Sequence, residues 1–290
     1  MEKDAPLVSV IMNCFNGEKY LREAIDSVYA QTYKNWEIIF WDNASTDNSA
    51  KIAKSYNQQL RYFCSKNTLP LGHARKLATE KAKGKYLAFL DCDDLWSVDK
   101  ITKQVKVFEQ GGHDLGVVYG GCELIYKDGE RFKIFLDGDI LPEGMVFKDL
   151  AKNNFIPFVS AMVDKQKFFD CGSFPVHLTF STDYWMFAHL TYRHPVAALQ
   201  EVCCKYRVHS ENLSSVISNR ITGLLESVEV LSFFLPEKSA KEGIKYYHTY
   251  LTLLFIKDRQ FYQAISVLNN NNIWIFFIKY AIFRVFKLGS

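Results

Sequence analysis

Three carboxylates stand within four residues in the segment Asp91-x-Asp93-Asp94, directly after the apolar run 85–90. Like charges at this spacing repel one another unless a cation lies among them. Carboxylate oxygens suit a hard divalent cation, Mg²⁺ or Mn²⁺, and such an ion commonly bridges a diphosphate. The segment therefore predicts a metal site, with an acidic turn that caps a helix beginning near Ser97 as the alternative.

The acidic segment follows the last of four short apolar runs, and these runs alternate with segments of helical periodicity. These patterns predict strands at 8–12, 36–41, 60–64 and 85–90 and helices at 18–31, 48–53 and 72–83. Such alternation indicates an α/β fold with a mostly parallel central sheet and helices on both faces. Ligands of these sheets bind at the carboxyl ends of the strands, so we expect residues 13–16, 42–43 and 91–94 to form one site.

The pattern changes after residue 115. Strands are predicted at 117–119 and 131–136, around an Asp-Gly turn at 127–130. The remaining elements predicted from the apolar pattern are a strand at 155–163, a helix at 182–193, a strand at 196–208 and a helical region from 214 to the end.

The composition is that of an ordinary globular protein of 290 residues, 48% hydrophobic and 23% charged. It excludes a disordered, collagen-like or coiled-coil chain, and a net charge of +3 gives no argument for nucleic acid. No GxGxxG follows the first predicted strand and no Walker A motif occurs, which disfavours a nicotinamide or P-loop nucleotide site. Seven cysteines without a CxxC pair, no apolar leader and no apolar stretch of ~20 residues predict a cytoplasmic protein with reduced thiols.

The last fifty residues are basic and aromatic. Residues 241–290 hold seven basic side chains against two acidic ones, a charge of +5, together with 12 aromatic residues. A helix predicted at 273–287 places Lys279, Arg284 and Lys287 within an arc of about 140°, with bulky apolar residues around the remainder. Such a helix suits the plane of a membrane interface. A terminal helix packed on the domain, or a dimer contact, is the alternative.

Residues 7–110 resemble the nucleotide-sugar-binding half of family 2 glycosyltransferases, which have the GT-A fold. The resemblance rests on motifs whose order and spacing match together: Val8-Ser9-Val10-Ile11, Phe15-Asn16, Ala24-Ile25-Asp26-Ser27-Val28, Gln31-Thr32, Glu37-Ile38-Ile39, Asp42, Ser45-Thr46-Asp47, Ala74-Arg75 and 82–94. The second half matches more loosely, through Thr182-Asp183 and Tyr206-Arg207-Val208-His209.

The resemblance implies a donor-binding site made of six residues: Cys14, Phe15, Asn16, Asp42, Arg75 and Asp91. The first three are expected to line the base and ribose pocket. Asp42 is expected to accept the ring N–H of a uracil-like base, for which a carboxylate is suited. Arg75 is expected to contact the base or the diphosphate, and Asp91 to lie near the ribose.

The resemblance also implies a metal site and a catalytic base. Asp93 is the expected ligand of Mn²⁺ or Mg²⁺, Asp94 an additional or alternative one, and His209 is expected to complete the metal or diphosphate contacts. Asp183 is the expected general base, because inverting transfer requires the acceptor hydroxyl to lose a proton opposite the leaving diphosphate. The alternative for Asp183 is an acidic residue in a first helical turn, where the helix dipole favours it.

The implied protein is an inverting glycosyltransferase with a GT-A type, Rossmann-like α/β fold. Residues 1–115 would bind the nucleotide sugar, 116–213 would form the acceptor-binding and catalytic half of the same domain, and 214–290 a helical region. The donor is expected to be a UDP-sugar, and the acceptor a glycan or lipid-linked glycan of bacterial surface polysaccharide synthesis, on the inner face of the cytoplasmic membrane. The alternatives are a non-catalytic nucleotide- or carbohydrate-binding module and a metal-dependent nucleotidyl- or phosphotransferase.

Overall fold

The structure is a computed structural model that describes residues 5–126, 131–133, 140–257 and 260–271. The chain divides into two units, the first made of Met1–Val146 and Phe155–His209 and the second of Phe147–Asn154 and Ser210–Ser290. The predicted turn at 127–130 and the predicted basic helix at 273–287 lie outside the described residues. The division into 1–115, 116–213 and 214–290 stays a prediction.

The first hundred residues form four parallel strands with helices between them. The strands are β1 (Val8–Cys14), β2 (Trp36–Asp42), β3 (Leu60–Cys64) and β4 (Tyr86–Phe89), and the helices are α1 (Glu18–Tyr29), α2 (Ser49–Ala53) and α3 (Leu71–Thr79). The strands lie in the order β3-β2-β1-β4 and all their pairings are parallel. Every residue of β2 and β4 is buried, because helices cover both faces of such a sheet. The predicted α/β class with a mostly parallel sheet is confirmed.

The second half of the first unit extends the same sheet. Its elements are β5 (Leu95–Trp96), α4 (Lys100–Gln110), β6 (Val117–Tyr126), β7 (Arg131–Lys133), β8 (Met162–Asp164), α6 (Lys165–Asp170), α7 (Thr182–Arg193) and β9 (Val196–Val208); α5 (Phe147–Leu150) belongs to the second unit. β8 lies antiparallel between β4 and β6, and β9 runs parallel to β6. β5 pairs with the end of β9 through Leu95 and Lys205, so the last residues of β9 lie beside the acidic segment.

The predicted strand at 155–163 is wrong for most of its length. A 3-10 turn spans Phe158–Ser160, and only Met162–Asp164 joins the sheet. Pro157 has no N–H to donate to a strand ladder, and its carbonyl instead accepts from the N–H of Ser160. The turn also lets the Phe158 ring stack on Phe89, with centroids 4.7 Å apart. A short apolar run does not distinguish these conformations by periodicity.

Helices pack on the sheet through apolar faces. Near the acidic segment, the side-chain amide of one glutamine links two of these helices. Leu21, Ala24, Ile25 and Val28 form the buried face of α1. Just beyond that helix, the buried side chain of Gln31 donates to the carbonyl oxygen of Ser97 and accepts from the N–H of Ile101. These bonds fix the start of α4 relative to α1, and with it the chain that follows Asp94.

The second unit is helical in its described part. After a 3-10 turn at Leu213–Ser215 it contains α8 (Ile217–Ser232), α9 (Lys238–Lys257) and α10 (Phe261–Asn270). This agrees with the helical pattern predicted from residue 214. Among the described residues, none of the helices combines the length and the hydrophobicity required to span a bilayer.

The side chain of Lys100 is fully buried in the first unit. Its Nζ donates to the Oε1 of Gln104 at 2.7 Å and lies 4.0 Å from the ring centroid of Trp96. Burial lowers the pKa of Lys100 to about 8, from 10.5. Below pH 8 the folded protein therefore holds a buried positive charge, at a cost that disappears as the amine deprotonates.

We expect the wild type to gain stability relative to Lys100→Met as the pH rises. Above pH 8 the unfolded lysine still binds a proton and the folded one does not, so the gain between pH 7 and 9.5 is about 2 kcal/mol. Denaturant unfolding of both proteins at the two pH values measures it. Lys106→Met, at an exposed position of α4, is the matched control and should show no such gain. An unchanged difference for Lys100→Met would contradict the buried charge.

Candidate active site

The carboxyl ends of β1, β2 and β4 meet at one edge of the sheet. Cys14 and Asp42 are paired at the ends of β1 and β2. The N–H of Leu90 donates to the carbonyl oxygen of Ile11, which brings the acidic segment beside β1. The Sγ atoms of Cys14 and Cys92 each lie 2.8 Å from the place that a Cβ on Gly17 would occupy. The three polar segments expected at this edge therefore lie together.

Asp42 is buried and already accepts two hydrogen bonds from the protein. Its Oδ1 accepts from the N–H of Ser45 at 2.8 Å, and its Oδ2 accepts from the hydroxyl of Tyr62 at 2.6 Å. An ionised carboxylate has about four acceptor positions, so each oxygen keeps capacity for a further donor. The two bonds fix the orientation of the carboxylate at the end of β2.

The residues after β1 differ in what they expose. Cys14 is buried, whereas the side chain of Phe15 is 52% exposed beside it. Asn16 has a positive φ of 53°, a conformation that asparagine tolerates better than most residues. Its Oδ1 accepts from the N–H of Thr46, and its own N–H donates to the Oγ of Ser45. Of these three predicted donor-site residues, Phe15 offers an open aromatic face and Asn16 holds the adjoining loop.

Arg75, on α3, lies buried between the acidic segment and α7. One amino group donates to the Oδ1 of Asp91 at 3.2 Å, and the other donates to the Oγ1 of Thr182. The guanidinium carbon lies 3.8 Å from the ring centroid of Phe158, a cation–π contact. Only 6% of the residue is exposed. The arginine therefore connects Asp91 to the first turn of α7.

Asp183 lies in that first turn, next to Thr182. Burial raises the pKa of Asp183; the charge of Arg75 opposes this rise and the charge of Asp91 adds to it. A carboxylate with a raised pKa is a stronger base than an exposed one. Arg75 thus binds Asp91 and Thr182, the neighbour of the expected base in the chain, and its charge acts on Asp183.

Asp93 contacts His209 directly. Its Oδ2 lies 2.9 Å from the Nε2 of His209, and both side chains are largely buried. Burial raises the pKa of Asp93, Asp91 raises it further and His209 opposes the rise. The two residues come from positions 116 apart in the chain, and the pairing of β5 with β9 brings them together.

Asp94 is fully buried, and one of its oxygens has a protein donor. Its Oδ1 accepts from the N–H of Arg207 at 2.8 Å, whereas its Oδ2 has no hydrogen-bond partner among the described residues. Burial raises the pKa of Asp94 well above its usual value, and the charges of Asp93 and Asp91 add to this. A cation close to the segment would relieve that repulsion.

The donor set fits a divalent ion that shares its ligands with a phosphate group. Within the described ranges, no three His, Cys, Asp or Glu side chains are arranged to hold a metal by themselves. Asp93 and His209 nevertheless lie in contact and carry an oxygen and a nitrogen ligand, and the neighbouring residue Asp94 has one oxygen without a partner among the described residues. Mg²⁺ is commonly bound by one or two carboxylates together with substrate phosphates, rather than by a complete protein cage.

Several residues of the site were not predicted as functional from the sequence. Arg207 and Thr182 lie inside the stretches that carried the family resemblance, so that resemblance was an available signal. Tyr62 and Phe158 contact Asp42 and Arg75 from distant segments. No local pattern marks either of them, because each is recognisable only by what it packs against.

Comparison with known proteins identifies relatives of the chain. The family model described as glycosyl transferase family 2 matches residues 9–135. An uncharacterised glycosyltransferase of Rickettsia typhi is 31% identical over 83% of this chain and 75% of its own length. The Escherichia coli protein WfgD, named a UDP-Glc:alpha-D-GlcNAc-diphosphoundecaprenol beta-1,3-glucosyltransferase, is 28% identical over 82% of this chain and 90% of its own.

Some relatives are much longer than the match. The chain spans 40%, 41% and 39% of the length of three uncharacterised glycosyltransferases, from Rickettsia felis, Rickettsia conorii and Rickettsia bellii. The Rickettsia felis protein is 33% identical over 83% of this chain.

Solved structures share the GT-A fold. Staphylococcus aureus TarS, residues 1–349 in complex with UDP-GlcNAc, aligns with a TM-score of 0.61 at 15% identity, over 91% of this chain and 88% of that one. The mannosyltransferase PcManGT of Pyrobaculum calidifontis, in complex with GDP-Man and Mn²⁺, aligns with a TM-score of 0.64 at 17% identity, over 94% and 76%. The predicted family and fold are confirmed.

We expect Asp94→Asn to stabilise the metal-free protein and to weaken metal binding. The amide keeps an acceptor for the N–H of Arg207 but cannot ionise in a buried place beside two other carboxylates, so the unfolding free energy at pH 7.5 should rise. The stabilisation that Mn²⁺ adds in the presence of UDP should fall. Thermal unfolding with and without Mn²⁺ measures both effects.

The matched control for this prediction is Asp114→Asn, which removes an exposed carboxylate from the same unit. It should change neither quantity. A metal-free Asp94→Asn protein that is less stable than the wild type would contradict the buried, repelled charge.

Proposed function

Since the chain belongs to glycosyl transferase family 2, we propose that it is an inverting glycosyltransferase. It transfers a sugar from a nucleoside-diphosphate sugar to a hydroxyl group of an acceptor. The observation that carries this proposal is the arrangement around Arg75, which joins Asp91 of the acidic segment to the helix turn that holds Asp183. The carboxylate proposed to bind the donor is thereby linked to the helix turn that carries the proposed base.

The donor is a UDP-sugar. Support comes from WfgD, whose name specifies UDP-Glc, and from TarS, which binds UDP-GlcNAc. The fixed carboxylate of Asp42 has acceptor capacity for the ring N–H of uracil. Phe15, whose ring is exposed, follows Cys14, the residue that pairs with Asp42 across the two strands. PcManGT binds GDP-Man, so a guanine nucleotide is the natural comparison in a test.

Asp183 acts as the general base. The acceptor oxygen forms a bond to the anomeric carbon as the bond from that carbon to the diphosphate breaks, and the hydroxyl proton passes to the carboxylate. Burial raises the pKa of this group and so favours proton uptake, and the charge of Arg75 opposes that rise. The nucleoside diphosphate leaves on the opposite side of the sugar.

Asp93 and His209, with Asp94, hold a Mn²⁺ or Mg²⁺ ion. Their donor atoms suit such an ion, and PcManGT was crystallised with Mn²⁺. The metal would supply positive charge that stabilises the leaving diphosphate. Arg75 places a second positive charge beside Asp91.

The acceptor is a glycan, and a lipid-linked glycan of surface polysaccharide synthesis is the favoured class. WfgD is named for an acceptor on diphosphoundecaprenol, and TuaG of Bacillus subtilis for teichuronic acid biosynthesis. The basic, aromatic sequence at 273–287 suits the surface of an anionic membrane, where such an acceptor is found. We therefore propose peripheral binding to the inner face of the cytoplasmic membrane.

Asp183→Asn should abolish transfer and leave donor binding intact. The amide has nearly the same shape but accepts no proton, so turnover should fall by at least two orders of magnitude. Release of UDP from UDP-sugars in the presence of Mn²⁺ and an acceptor extract measures turnover, and calorimetry with UDP measures binding. Unimpaired turnover would exclude Asp183 as the base.

The matched control is Asp170→Asn, at an exposed position that ends α6. It should retain wild-type turnover. Release of pyrophosphate or phosphate by the wild type, instead of a nucleoside diphosphate, would indicate a nucleotidyl- or phosphotransferase. Nucleotide binding without any release would indicate a binding module.

UDP-sugars should raise the unfolding temperature more than GDP-Man does. A ligand that binds the folded state stabilises it according to its concentration relative to Kd, by about 2.7 kcal/mol at one hundred times Kd. Unfolding temperatures measured with UDP-Glc, UDP-GlcNAc and GDP-Man, each with Mn²⁺, show which nucleobase the protein prefers. Asp42→Asn should reduce the preference for uracil nucleotides. If GDP-Man raised the unfolding temperature of the wild type as much as the UDP-sugars do, uracil would be wrong as the nucleobase of the donor.

A further inference from the structure

We propose that Arg207 is a positioning residue that holds the acidic segment and His209 in the geometry required to bind metal, and that Tyr20 and Glu23 of α1 hold Arg207. The inference rests on the proposed metal-dependent function. It assigns a role to α1, which contributes no residue to the expected donor or metal sites. The role is indirect, because Arg207 acts through the residues that it fixes.

The arginine holds two successive residues of the acidic segment. Its backbone N–H donates to the Oδ1 of Asp94 at 2.8 Å, and its Nε donates to the carbonyl oxygen of Asp93 at 2.9 Å. One bond orients a carboxylate and the other orients the peptide that follows Asp93. Together they limit rotation of the segment at the two residues expected to bind metal.

The strand geometry places His209 on the same side as Arg207. Side chains two residues apart in an extended chain point to the same face. Arg207 belongs to β9, and His209 follows its last residue. The Nε2 of His209 lies 2.9 Å from the Oδ2 of Asp93, so the arginine and the histidine contact the acidic segment side by side.

The helix α1 holds the arginine from the other direction. Tyr20 packs its ring under the guanidinium, whose carbon lies 4.3 Å from the ring centroid, and Glu23 accepts a hydrogen bond from it at 2.9 Å. The ring of Tyr20 also lies 5.2 Å from the ring of His209. One aromatic side chain therefore packs against both residues that reach the acidic segment.

These contacts distinguish Arg207 from a substrate-binding arginine. Its side chain is only 13% exposed, one face of its guanidinium is covered by Tyr20, and its Nε and one amino group donate to protein acceptors. The positive charge also offsets the repulsion among the buried carboxylates nearby. Residues that orient metal ligands in this way commonly change metal affinity 10- to 100-fold when they are replaced.

The test compares four variants and one control variant by their affinity for Mn²⁺ in the presence of UDP. Mn²⁺ binding is followed by the loss of the free-ion signal in electron paramagnetic resonance, and UDP binding without metal by calorimetry. Arg207→Lys keeps the charge but loses the Nε bond and the planar stack, so Mn²⁺ affinity should fall about tenfold. UDP binding without metal should stay within twofold of the wild type.

The remaining variants separate positioning from general loss of structure. Tyr20→Leu should also weaken Mn²⁺ binding several-fold, and Tyr20→Phe, which keeps the ring, should restore it. Glu23→Gln alters an exposed helix position without a fold defect and should cost about threefold. Arg61→Lys, which changes the ion pair with Glu37, is the matched control and should bind Mn²⁺ like the wild type.

The outcomes overturn the inference in distinguishable ways. Wild-type Mn²⁺ affinity in Arg207→Lys and Tyr20→Leu would show that the contacts do not position the ligands. Equal losses of metal-free UDP binding and Mn²⁺ affinity in both variants would show a structural defect instead of a positioning role. A wild-type protein that binds UDP but no Mn²⁺ would refute the proposed metal dependence, and this inference with it.

Discussion

The repulsion among closely spaced carboxylates is the constraint on which the site depends. Asp91, Asp93 and Asp94 occupy one turn, and Asp183 lies close enough for Asp91 to raise its pKa. Carboxylates removed from water are stable as anions only beside positive charge or hydrogen-bond donors. The structure supplies Arg75 at one side of the turn and Arg207 with His209 at the other. One oxygen of Asp94 has no hydrogen-bond partner among the residues that the structure describes, so a nearby cation would stabilise this carboxylate.

Aromatic packing sets the positions of both arginines. Phe158 covers the guanidinium of Arg75, and Tyr20 covers that of Arg207. A guanidinium is weakly hydrated and planar, so it can be buried against a ring while its edges donate hydrogen bonds. The rings are themselves packed, Phe158 on Phe89 and Tyr20 beside His209. Some of the many aromatic residues of the chain therefore hold the two arginine side chains in the site.

The order of the strands explains how distant segments reach one site. The parallel strands β1, β2 and β4 bring the polar ends of the first half to one edge, as expected for ligand sites in such sheets. The second half continues the sheet with β8, antiparallel to β4, and with the parallel pair β6 and β9. The end of β9 pairs with β5, which directly follows the acidic segment. The first half thus provides the acidic segment, and the second half provides Arg207 and His209, which contact Asp93 and Asp94.

The sequence alone determined the local elements and the family. The bounds predicted for a strand at 60–64, a helix at 182–193 and a strand at 196–208 agree with β3, α7 and β9, because periodicity and turn residues act over neighbouring positions. It did not determine the turn at Phe158–Ser160, which depends on packing against Phe89. Only the tertiary structure decided that Arg75 joins Asp91 to Thr182, and that Arg207 joins Tyr20 to the acidic segment. Arg75 and Thr182 are 107 positions apart in the chain, and Arg207 and Asp93 are 114 apart. A pattern that repeats every two or four residues carries no information about such contacts.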